Sequence, residues 1–221
     1  MNPVDLRVYG IVDPAWTRGR NPIDLVRHAV HGGCTLIQYR DKASEARRMV
    51  DLARALMAAL EGTGVPLVVN DRVDVALASG AHGVHLGQED LHPADARRLL
   101  GPKAIIGLTL KKTEQADETF RLPIDYTCIG GVFSTGSKRN EDAPIGLDGL
   151  ARVAFRARLA SGAPVGAIAG IDASNAASVV AAGADGVAVI SAIFMADDVR
   201  EEARRLRNVV DGALQQRRSG S

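Results

Sequence analysis

The chain has 221 residues, a formal net charge of +1 and an apolar fraction of 46%, while aromatic residues make up only 4%. That length and apolar content suffice for a large packed core, whereas the balanced charge and scarce aromatics argue against a nucleic-acid-binding surface. No apolar run approaches the roughly 18 residues that span a bilayer, and the first residues do not resemble a secretory leader. We therefore expect a cytoplasmic protein with neither a nucleic-acid nor a membrane partner.

Short runs rich in Val, Ile and Leu alternate along the chain with Ala-rich stretches of helical period. This alternation indicates repeated βα units and a parallel sheet. We predict strands at Arg7–Val12, Thr35–Arg40, Pro66–Asn70, Gly83–Leu86, Ala104–Leu108, Tyr126–Gly130, Val165–Ala169 and Gly186–Ile190. We predict helices at Pro22–His31, Ser44–Leu60, Val73–Ser79, Pro93–Leu100, Glu114–Thr119, Leu147–Leu159, Ser174–Ala182 and Val199–Gln215.

Eight βα units without an intervening linker predict an α/β fold, a single-domain (β/α)8 TIM barrel over residues 1–221. The polar tail from Gln215 to Ser221 is expected to fray. An open doubly wound sheet is the alternative, but no G-x-G-x-x-G turn follows the first strand. Cys34 and Cys128 lie in apolar surroundings and are interpreted as buried hydrophobic residues without a function.

Ligands of such a barrel bind at the loops after the C-terminal ends of the strands. Polar or small residues follow seven of the eight predicted strands: Gln38, Arg40 and Lys42; Asn70 and Asp71; Asp90; Thr109; Thr135, Ser137 and Lys138; Gly170; and Ser191. Their accumulation at one rim predicts a ligand site there.

The second predicted strand carries Gln38, Arg40 and Lys42 at a spacing of two, which places the three side chains on one side of an extended chain. An amide and two cations suit a diphosphate ligand. A layer of ion pairs inside the barrel, or a solvated strand end, is the alternative interpretation.

Asp71 and Asp90 follow the third and the fourth predicted strands. Together they could hold Mg²⁺, which takes one or two carboxylates and completes its shell with water and phosphate oxygens. Each also has a structural explanation, since Asn70 or Asp71 could cap the next helix and Asp90 could shape a turn before Pro93. His85 is interpreted as a pocket residue, because no ligand-spaced partners for zinc accompany it.

The sixth loop offers hydroxyls, backbone N–H groups and the ammonium of Lys138, and Ser191 begins a short predicted helix after the eighth strand. Both are candidate anion sites, although the sixth loop also resembles an ordinary polar loop. Two anion sites at one rim indicate two phosphorylated substrates or one bisphosphate.

Four stretches closely resemble the thiamine phosphate synthase family in order and spacing, over about residues 7 to 195. They are IQYRDK, VNDRVDVALASGAHGVHLGQEDL, FSTGSK followed by PIG, and AGIDASNAASVVAAGADGVAVISAI. The resemblance implies a Mg²⁺-dependent transferase of thiamine biosynthesis. Such an enzyme couples 4-amino-2-methyl-5-(diphosphooxymethyl)pyrimidine to a carboxylated thiazole ethyl phosphate and yields thiamine phosphate, diphosphate and CO₂ by dissociative substitution.

The resemblance also implies roles for individual residues. Asp71 and Asp90 match the Mg²⁺ ligands of the family. The cations that act on the departing diphosphate correspond to Arg40, Lys42 and Lys138. The pyrimidine diphosphate site corresponds to Gln38, Tyr39, Arg40, Asp41, Lys42, Asn70, Thr109 and Lys138. The thiazole phosphate site corresponds to Thr135, Gly136, Ser137, Gly170, Ile190 and Ser191.

The sequence departs from the family pattern at a few positions. Ala169 stands where glycine is usual, Thr109 where serine is usual and is followed by Leu-Lys-Lys, and Ser134 and Gly136 stand where proline is common. A thiazole tautomerase of the same superfamily is one alternative, but it lacks the full metal and diphosphate set. A barrel that binds the ligands without turnover is the other, and the oligomeric state stays open.

Overall fold

The structure is a computed structural model that describes residues 4–136 and 143–219. Its strands are β1 (Val8–Val12), β2 (Leu36–Tyr39), β3 (Leu67–Asn70), β4 (Gly83–Leu86), β5 (Ile105–Leu110), β6 (Tyr126–Ile129), β7 (Val165–Ile168) and β8 (Gly186–Val189). Its helices are α1 (Pro22–His31), α2 (Ala46–Leu60), α3 (Val73–Ser79), α4 (Pro93–Leu100), α5 (Thr113–Asp117), α6 (Gly146–Ser161), α7 (Ala176–Ala181), α8 (Ser191–Phe194) and α9 (Val199–Ser219). Short 3₁₀ helices occupy Pro14–Trp16 and Glu118–Arg121.

The strands form one closed parallel barrel in chain order, and β1 pairs with both β2 and β8. Every connection from one strand to the next contains an α-helix, so the C-terminal ends of all the strands meet at one face of the barrel. The predicted (β/α)8 barrel is therefore confirmed, and the open doubly wound sheet is excluded.

Alternating side chains divide the core into two layers. One set, which includes Ile37, Leu67, Val84 and Ile106, packs outward against the helices. The other set fills the barrel interior with Leu6, Tyr9, Ile11, Leu36, Val68, Tyr126, Cys128, Ala188 and Ile190. This alternation decides which residues after each strand can turn towards the mouth of the barrel.

Gly107 makes room inside the barrel for two large rings. A Cβ atom at this position would lie 2.1 Å from Cζ of Tyr126 and 2.5 Å from Nδ1 of His85. Since no real side chain tolerates such contacts, the glycine on β5 is what permits the tyrosine and the histidine to face each other across it.

Both β5 and α9 extend beyond their predicted ends. β5 continues to Leu110, which places Thr109 inside the strand rather than in the following loop. α9 is helical as far as Ser219, so the frayed tail predicted from Gln215 is not found over the part of it that the structure describes. Arg217 explains the difference, because its guanidinium donates to the carbonyl oxygens of Val180 and Ala184 and pairs with Asp185.

Within the described ranges, none of the helices combines the length and the apolar character that crossing a membrane would require.

Candidate active site at the mouth of the barrel

A cavity of about 870 Å³, which includes its open mouth, lies at the C-terminal ends of the strands. Each of the eight strands, or the loop that follows it, contributes residues to the floor and walls of this cavity. Among the residues singled out in the sequence, those that line it are Gln38, Arg40, Asn70, His85, Thr109, Thr135, Gly170, Ile190 and Ser191. The barrel thus brings together residues separated by about 150 positions in the chain.

The floor of the cavity is a chain of buried hydrogen bonds. Gln38 Nε2 donates to the hydroxyl of Tyr9, which is 2.8 Å from the hydroxyl of Tyr126. The Tyr126 hydroxyl lies 2.9 Å from His85 Nδ1, and His85 Nε2 lies 2.8 Å from Oγ1 of Thr109. The five residues belong to five different strands, so the network spans the barrel.

The direction of these bonds follows from the need to satisfy each buried proton. Burial raises the pKa of both tyrosines far above the ordinary value, so Tyr9 and Tyr126 stay neutral and carry one proton each. Tyr9 then donates to Tyr126, and Tyr126 donates to Nδ1 of His85. In that tautomer His85 donates from Nε2 to Thr109.

This arrangement fixes what the floor presents to a ligand. The side-chain oxygen of Gln38 stays available as an acceptor, and the hydroxyl proton of Thr109 stays available as a donor. An acceptor and a donor held by a rigid network suit a flat heterocycle that carries an amino group beside a ring nitrogen.

Tyr126→Phe should lower the free energy of unfolding by about 1–3 kcal/mol, because it leaves the Tyr9 donor and the His85 acceptor buried without partners. Urea denaturation measures the loss. Tyr39→Phe is the matched control, since Tyr39 is equally buried but its hydroxyl bonds at 3.0 Å to Asp41, which is only partly buried. Equal losses in the two variants would show that the floor network has no special stability.

Arg40 is held at the edge of the cavity by Asp13, which follows β1. The two side chains form an ion pair, with 16% of the arginine and 4% of the aspartate exposed. Asp13 also accepts from the backbone N–H of Ala15 at 2.9 Å, and this bond caps the first 3₁₀ helix. An aspartate fixed by its own backbone therefore aims the guanidinium towards the mouth.

Asp71 and Asp90 meet at the rim beside β3 and β4. They do not line the cavity, but Asp71 directly follows Asn70, which does. Their carboxyl groups lie close enough to shift each other's pKa, and Lys42 forms an ion pair with Asp71. The loops after β2, β3 and β4 therefore contribute one cation and two carboxylates to a single cluster.

The two carboxyl groups have pKa values that are shifted in opposite directions. Burial and the hydrogen bond to Asp71 raise the pKa of Asp90, whereas the hydrogen bonds from Asp90 and Lys42 outweigh burial and lower the pKa of Asp71. Two carboxylates this close to each other concentrate negative charge, which a divalent cation can neutralise.

Neither carboxylate serves as a helix cap. α3 begins after Arg72, and no side chain caps it. α4 is capped by His92, whose Nδ1 accepts from Ala94 at 3.2 Å. Asp90 instead closes its own turn by accepting from the backbone N–H of Gly87 at 2.7 Å, so the turn-shaping interpretation holds for it.

Asp71 has a backbone φ of 58°, in the left-handed region that side chains other than glycine seldom adopt. The backbone N–H of Asp71 donates to the carbonyl of His85 at 2.9 Å, which ties this conformation to β4. With capping excluded, this unusual backbone conformation accompanies the placement of the Asp71 carboxylate beside Asp90 and Lys42.

No group of three or more His, Cys, Asp or Glu residues that could hold a metal occurs in residues 4–136 and 143–219. A pair of carboxylates is nonetheless enough for Mg²⁺, which keeps several water ligands and takes further oxygens from substrate phosphates. Two neighbouring carboxylates and an oxygen-only donor set fit this ion.

The opposite half of the mouth is built from the loops after β6, β7 and β8. It is lined by Thr135, Gly170, Ile190 and Ser191, which offer hydroxyls and backbone N–H groups. Gly170 has a φ of 64°, and a Cβ there would lie 2.4 Å from the carbonyl oxygen of Ser134. Glycine is therefore required for the close approach of the sixth and seventh loops.

Ala169 stands in the wall of this half with a φ of 96°, which is unfavourable for a residue with a Cβ. Ala169 is one of the residues that line the cavity, at a position where the sequence departs from the family pattern. Its carbonyl oxygen accepts from the backbone N–H of Phe133 at 3.1 Å, so the strained residue also joins the sixth and seventh loops.

Some of the residues singled out in the sequence do not reach the cavity. Tyr39 points outward into the layer between barrel and helices, because it alternates with Gln38 and Arg40 along β2. Asp41 instead accepts from the backbone N–H groups of Ala43 and Ser44, both at 2.9 Å. Gly136 is exposed beyond the lining residues, and Ser137 and Lys138 lie outside the described residues.

Sequence reasoning missed several residues of the site. Asp13 follows β1 as Asp71 follows β3, so the rule used for the other strands points to it as well. Tyr9, Tyr126 and Cys128 take the inward positions of β1 and β6, which strand alternation could have identified. Cys128 lines the cavity, but burial raises the pKa of its thiol to about 12, so it remains a neutral wall residue.

Residues 8–193 match the protein family described as thiamine monophosphate synthase. The thiamine-phosphate synthase of Agrobacterium fabrum is 50% identical over 98% of this chain and 99% of its own length. That of Azorhizobium caulinodans is 43% identical over 95% of this chain and 97% of its own.

Solved structures give the same picture. A thiamine phosphate pyrophosphorylase from Pyrococcus furiosus superposes with a TM-score of 0.84 at 36% identity, covering 96% of this chain and 98% of the other. The tryptophan synthase of Mycobacterium tuberculosis superposes with a TM-score of 0.70 at 16% identity over 93% of both chains, a similarity of fold alone.

Proposed function

This chain belongs to the thiamine monophosphate synthase family, and from this premise we propose that thiamine phosphate is formed at the mouth of its barrel. The enzyme is a transferase. Its substrates are 4-amino-2-methyl-5-(diphosphooxymethyl)pyrimidine and a carboxylated thiazole ethyl phosphate, and it also yields diphosphate and CO₂. The reaction takes place in the cytoplasm, where the buried thiols of Cys34 and Cys128 would stay reduced.

One observation carries the proposal. The paired carboxylates Asp71 and Asp90 and the cations Lys42 and Arg40 lie at the same edge of a cavity whose floor presents an acceptor and a donor. A ligand with a flat polar ring and a diphosphate arm fits this arrangement, since the ring would rest on the floor and the arm would reach the rim.

Asp71 and Asp90 are the residues that would hold Mg²⁺. When bound, the ion supplies positive charge that stabilises the departing diphosphate.

The protein's own cations act on the same leaving group. The C–O bond to the pyrimidine methylene breaks, and its electron pair leaves with the diphosphate. Charge grows on the leaving oxygen as the bond breaks, so Arg40 and Lys42 stabilise the transition state more than the bound substrate. Lys42 is 58% exposed and can move from Asp71 to the diphosphate, and by resemblance Lys138 adds a further cation.

The floor network orients the pyrimidine. Gln38 accepts from the 4-amino group, and Thr109, held by His85, donates towards the ring. Because Tyr9 and Tyr126 fix both groups in place, little reorganisation accompanies the reaction. Asn70 lies between this floor and the carboxylate pair and provides an amide for the diphosphate arm.

The thiazole substrate occupies the opposite half of the mouth. Thr135, Ser191 and the backbone at Gly170 would bind its phosphate, with Ile190 against its ring and Gly136 and Ser137 completing the sixth loop. The nitrogen lone pair then forms the C–N bond to the methylene carbon. Loss of CO₂ leaves an electron pair on the ring carbon, which takes a proton from solvent.

No residue needs to act as nucleophile or general base in this scheme. The protein contributes position and charge, and holding the two substrates in contact is an effect that can supply several kcal/mol. The nitrogen must reach the cationic methylene before water does.

The direct test combines the purified protein with both substrates and Mg²⁺, with and without EDTA, and follows thiamine phosphate and diphosphate together. We expect equimolar formation of the two products, abolished by EDTA and restored by excess Mg²⁺. Uptake of ligands without release of diphosphate would instead identify a non-catalytic binding protein. Turnover of the thiazole substrate alone would favour the tautomerase.

A further inference from the structure

Lys111 lines the cavity but received no role from the sequence. It follows β5 directly, and Gly107, Thr109 and Lys111 alternate with Leu108 and Leu110. The two leucines are buried in the outer layer, while Gly107 and Thr109 face the tyrosine and histidine of the floor. Lys111 therefore continues the inward-facing row of β5, as Lys42 continues that of β2.

The backbone fixes where this lysine starts. Its N–H donates to Oε1 of Gln115 at 2.7 Å, a bond that joins the end of β5 to the first turn of α5. Its Cγ lies 3.7 Å from the position that a Cβ of Gly130 would take, so the stem passes over a residue without a side chain. Lys111 is half-buried and is one of the residues that line the cavity at the mouth of the barrel.

Lys111 differs in charge from the other residues that line the cavity between β5 and β8. Among the described residues that line the cavity from β5 to β8, it is the one side chain that carries a charge at neutral pH, since the other ionisable group is the buried thiol of Cys128. The remainder are hydroxyls, glycines and aliphatic residues. An anionic group in this half would meet Lys111.

The position of Lys111 indicates which anionic group this is. Thr109, two residues earlier, belongs to the floor assigned to the pyrimidine, and the adjacent loop from Gly130 to Thr135 belongs to the half assigned to the thiazole. Lys111 thus lies on the border between the two substrates. The reacting thiazole nitrogen must lie at that border, and the carboxylate is bonded to the ring carbon beside this nitrogen, whereas the phosphate is on the remote ethyl arm.

We propose that Lys111 binds the carboxylate of the thiazole substrate and makes the enzyme prefer the carboxylated over the decarboxylated thiazole phosphate. This inference rests on the proposed function and deepens it. Lys111 is a specificity-determining residue in this scheme, and it leaves the bond-breaking at the diphosphate to the groups on β2, β3 and β4.

The test compares kcat/KM for the carboxylated and the decarboxylated thiazole phosphates in the wild type, Lys111→Met and Lys112→Met. Lys112 is the matched control, because it is the next residue, is exposed and does not line the cavity. In Lys111→Met we expect kcat/KM for the carboxylated substrate to fall about tenfold to a hundredfold and that for the decarboxylated one to stay within about twofold, as for loss of a hydrogen bond to a charged group. Lys111→Arg should recover part of the preference.

Three results would overturn the inference. Equal losses with both thiazoles would assign Lys111 to the phosphate. Unchanged kcat/KM values for both thiazoles would show that it does not bind substrate. An equal effect of Lys112→Met would show that only the general positive charge of this region matters. Wild-type protein that forms no thiamine phosphate from either thiazole would instead refute the proposed function. Calorimetric titration with each thiazole phosphate then still decides the inference, since the wild type should bind the carboxylated one more tightly and Lys111→Met should not.

Discussion

Replacing Asp71 or Asp90 with asparagine should lower turnover by roughly a hundredfold or more and raise the Mg²⁺ concentration needed for half-maximal activity. Asparagine keeps the size of the side chain but removes the charge that would attract the cation. It also tolerates the left-handed backbone of Asp71, so the φ of 58° can persist and the fold should stay intact.

Steady-state rates over a range of Mg²⁺ concentrations measure this effect, and thermal unfolding checks the fold. Asp95→Asn is the matched control, because Asp95 is an exposed carboxylate on α4 that pairs with Arg98 away from the cavity. Full activity with unaltered Mg²⁺ dependence in both Asp71→Asn and Asp90→Asn would remove the metal assignment.

The second large effect is expected for Arg40→Met. The variant should lose about a hundredfold or more in kcat, because the guanidinium acts mainly on the charge that grows on the departing diphosphate. It should also lose about 3 kcal/mol of the free energy of unfolding, since Asp13 is almost fully buried and would lose its ion-pair partner.

A double variant separates the two losses. Asp13→Asn with Arg40→Met removes both charges together, so stability should largely return while turnover stays low. Asp13→Asn alone should keep the arginine but hold its guanidinium less firmly towards the mouth, so kcat should fall less than in Arg40→Met. Recovery of turnover in the double variant would show that Arg40 serves stability and does not act on the substrate.

The strand ends explain why so much of the site was accessible from the sequence. In a parallel barrel each C-terminal strand end comes to the same face, so a rule that uses only local order finds residues that are far apart in the chain. Gln38, Arg40, Asn70, Thr109 and Ser191 were all found in this way, and all line the cavity.

Strand alternation was a second usable signal, but it needs the exact strand ends. Tyr39 and Asp41 lie between the inward-facing residues of β2 in the sequence, and the structure turns them away from the cavity. Thr109 was placed in a loop because the end of β5 was predicted two residues early. Extending the strand to Leu110 makes Thr109 and then Lys111 part of one inward row.

By itself the sequence determined the barrel, its one functional rim and the charged residues that follow the strands, because hydrophobic period and chain order are local properties. Only the tertiary structure decided the partners: Asp13 for Arg40, Asp90 for Asp71, and the bonds from Gln38 through two tyrosines to His85 and Thr109. Such pairs join strands that are up to 117 residues apart, as Tyr9 and Tyr126 are. Closure of the barrel sets the distances between these partners, and the spacing of the residues along the chain does not contain this information.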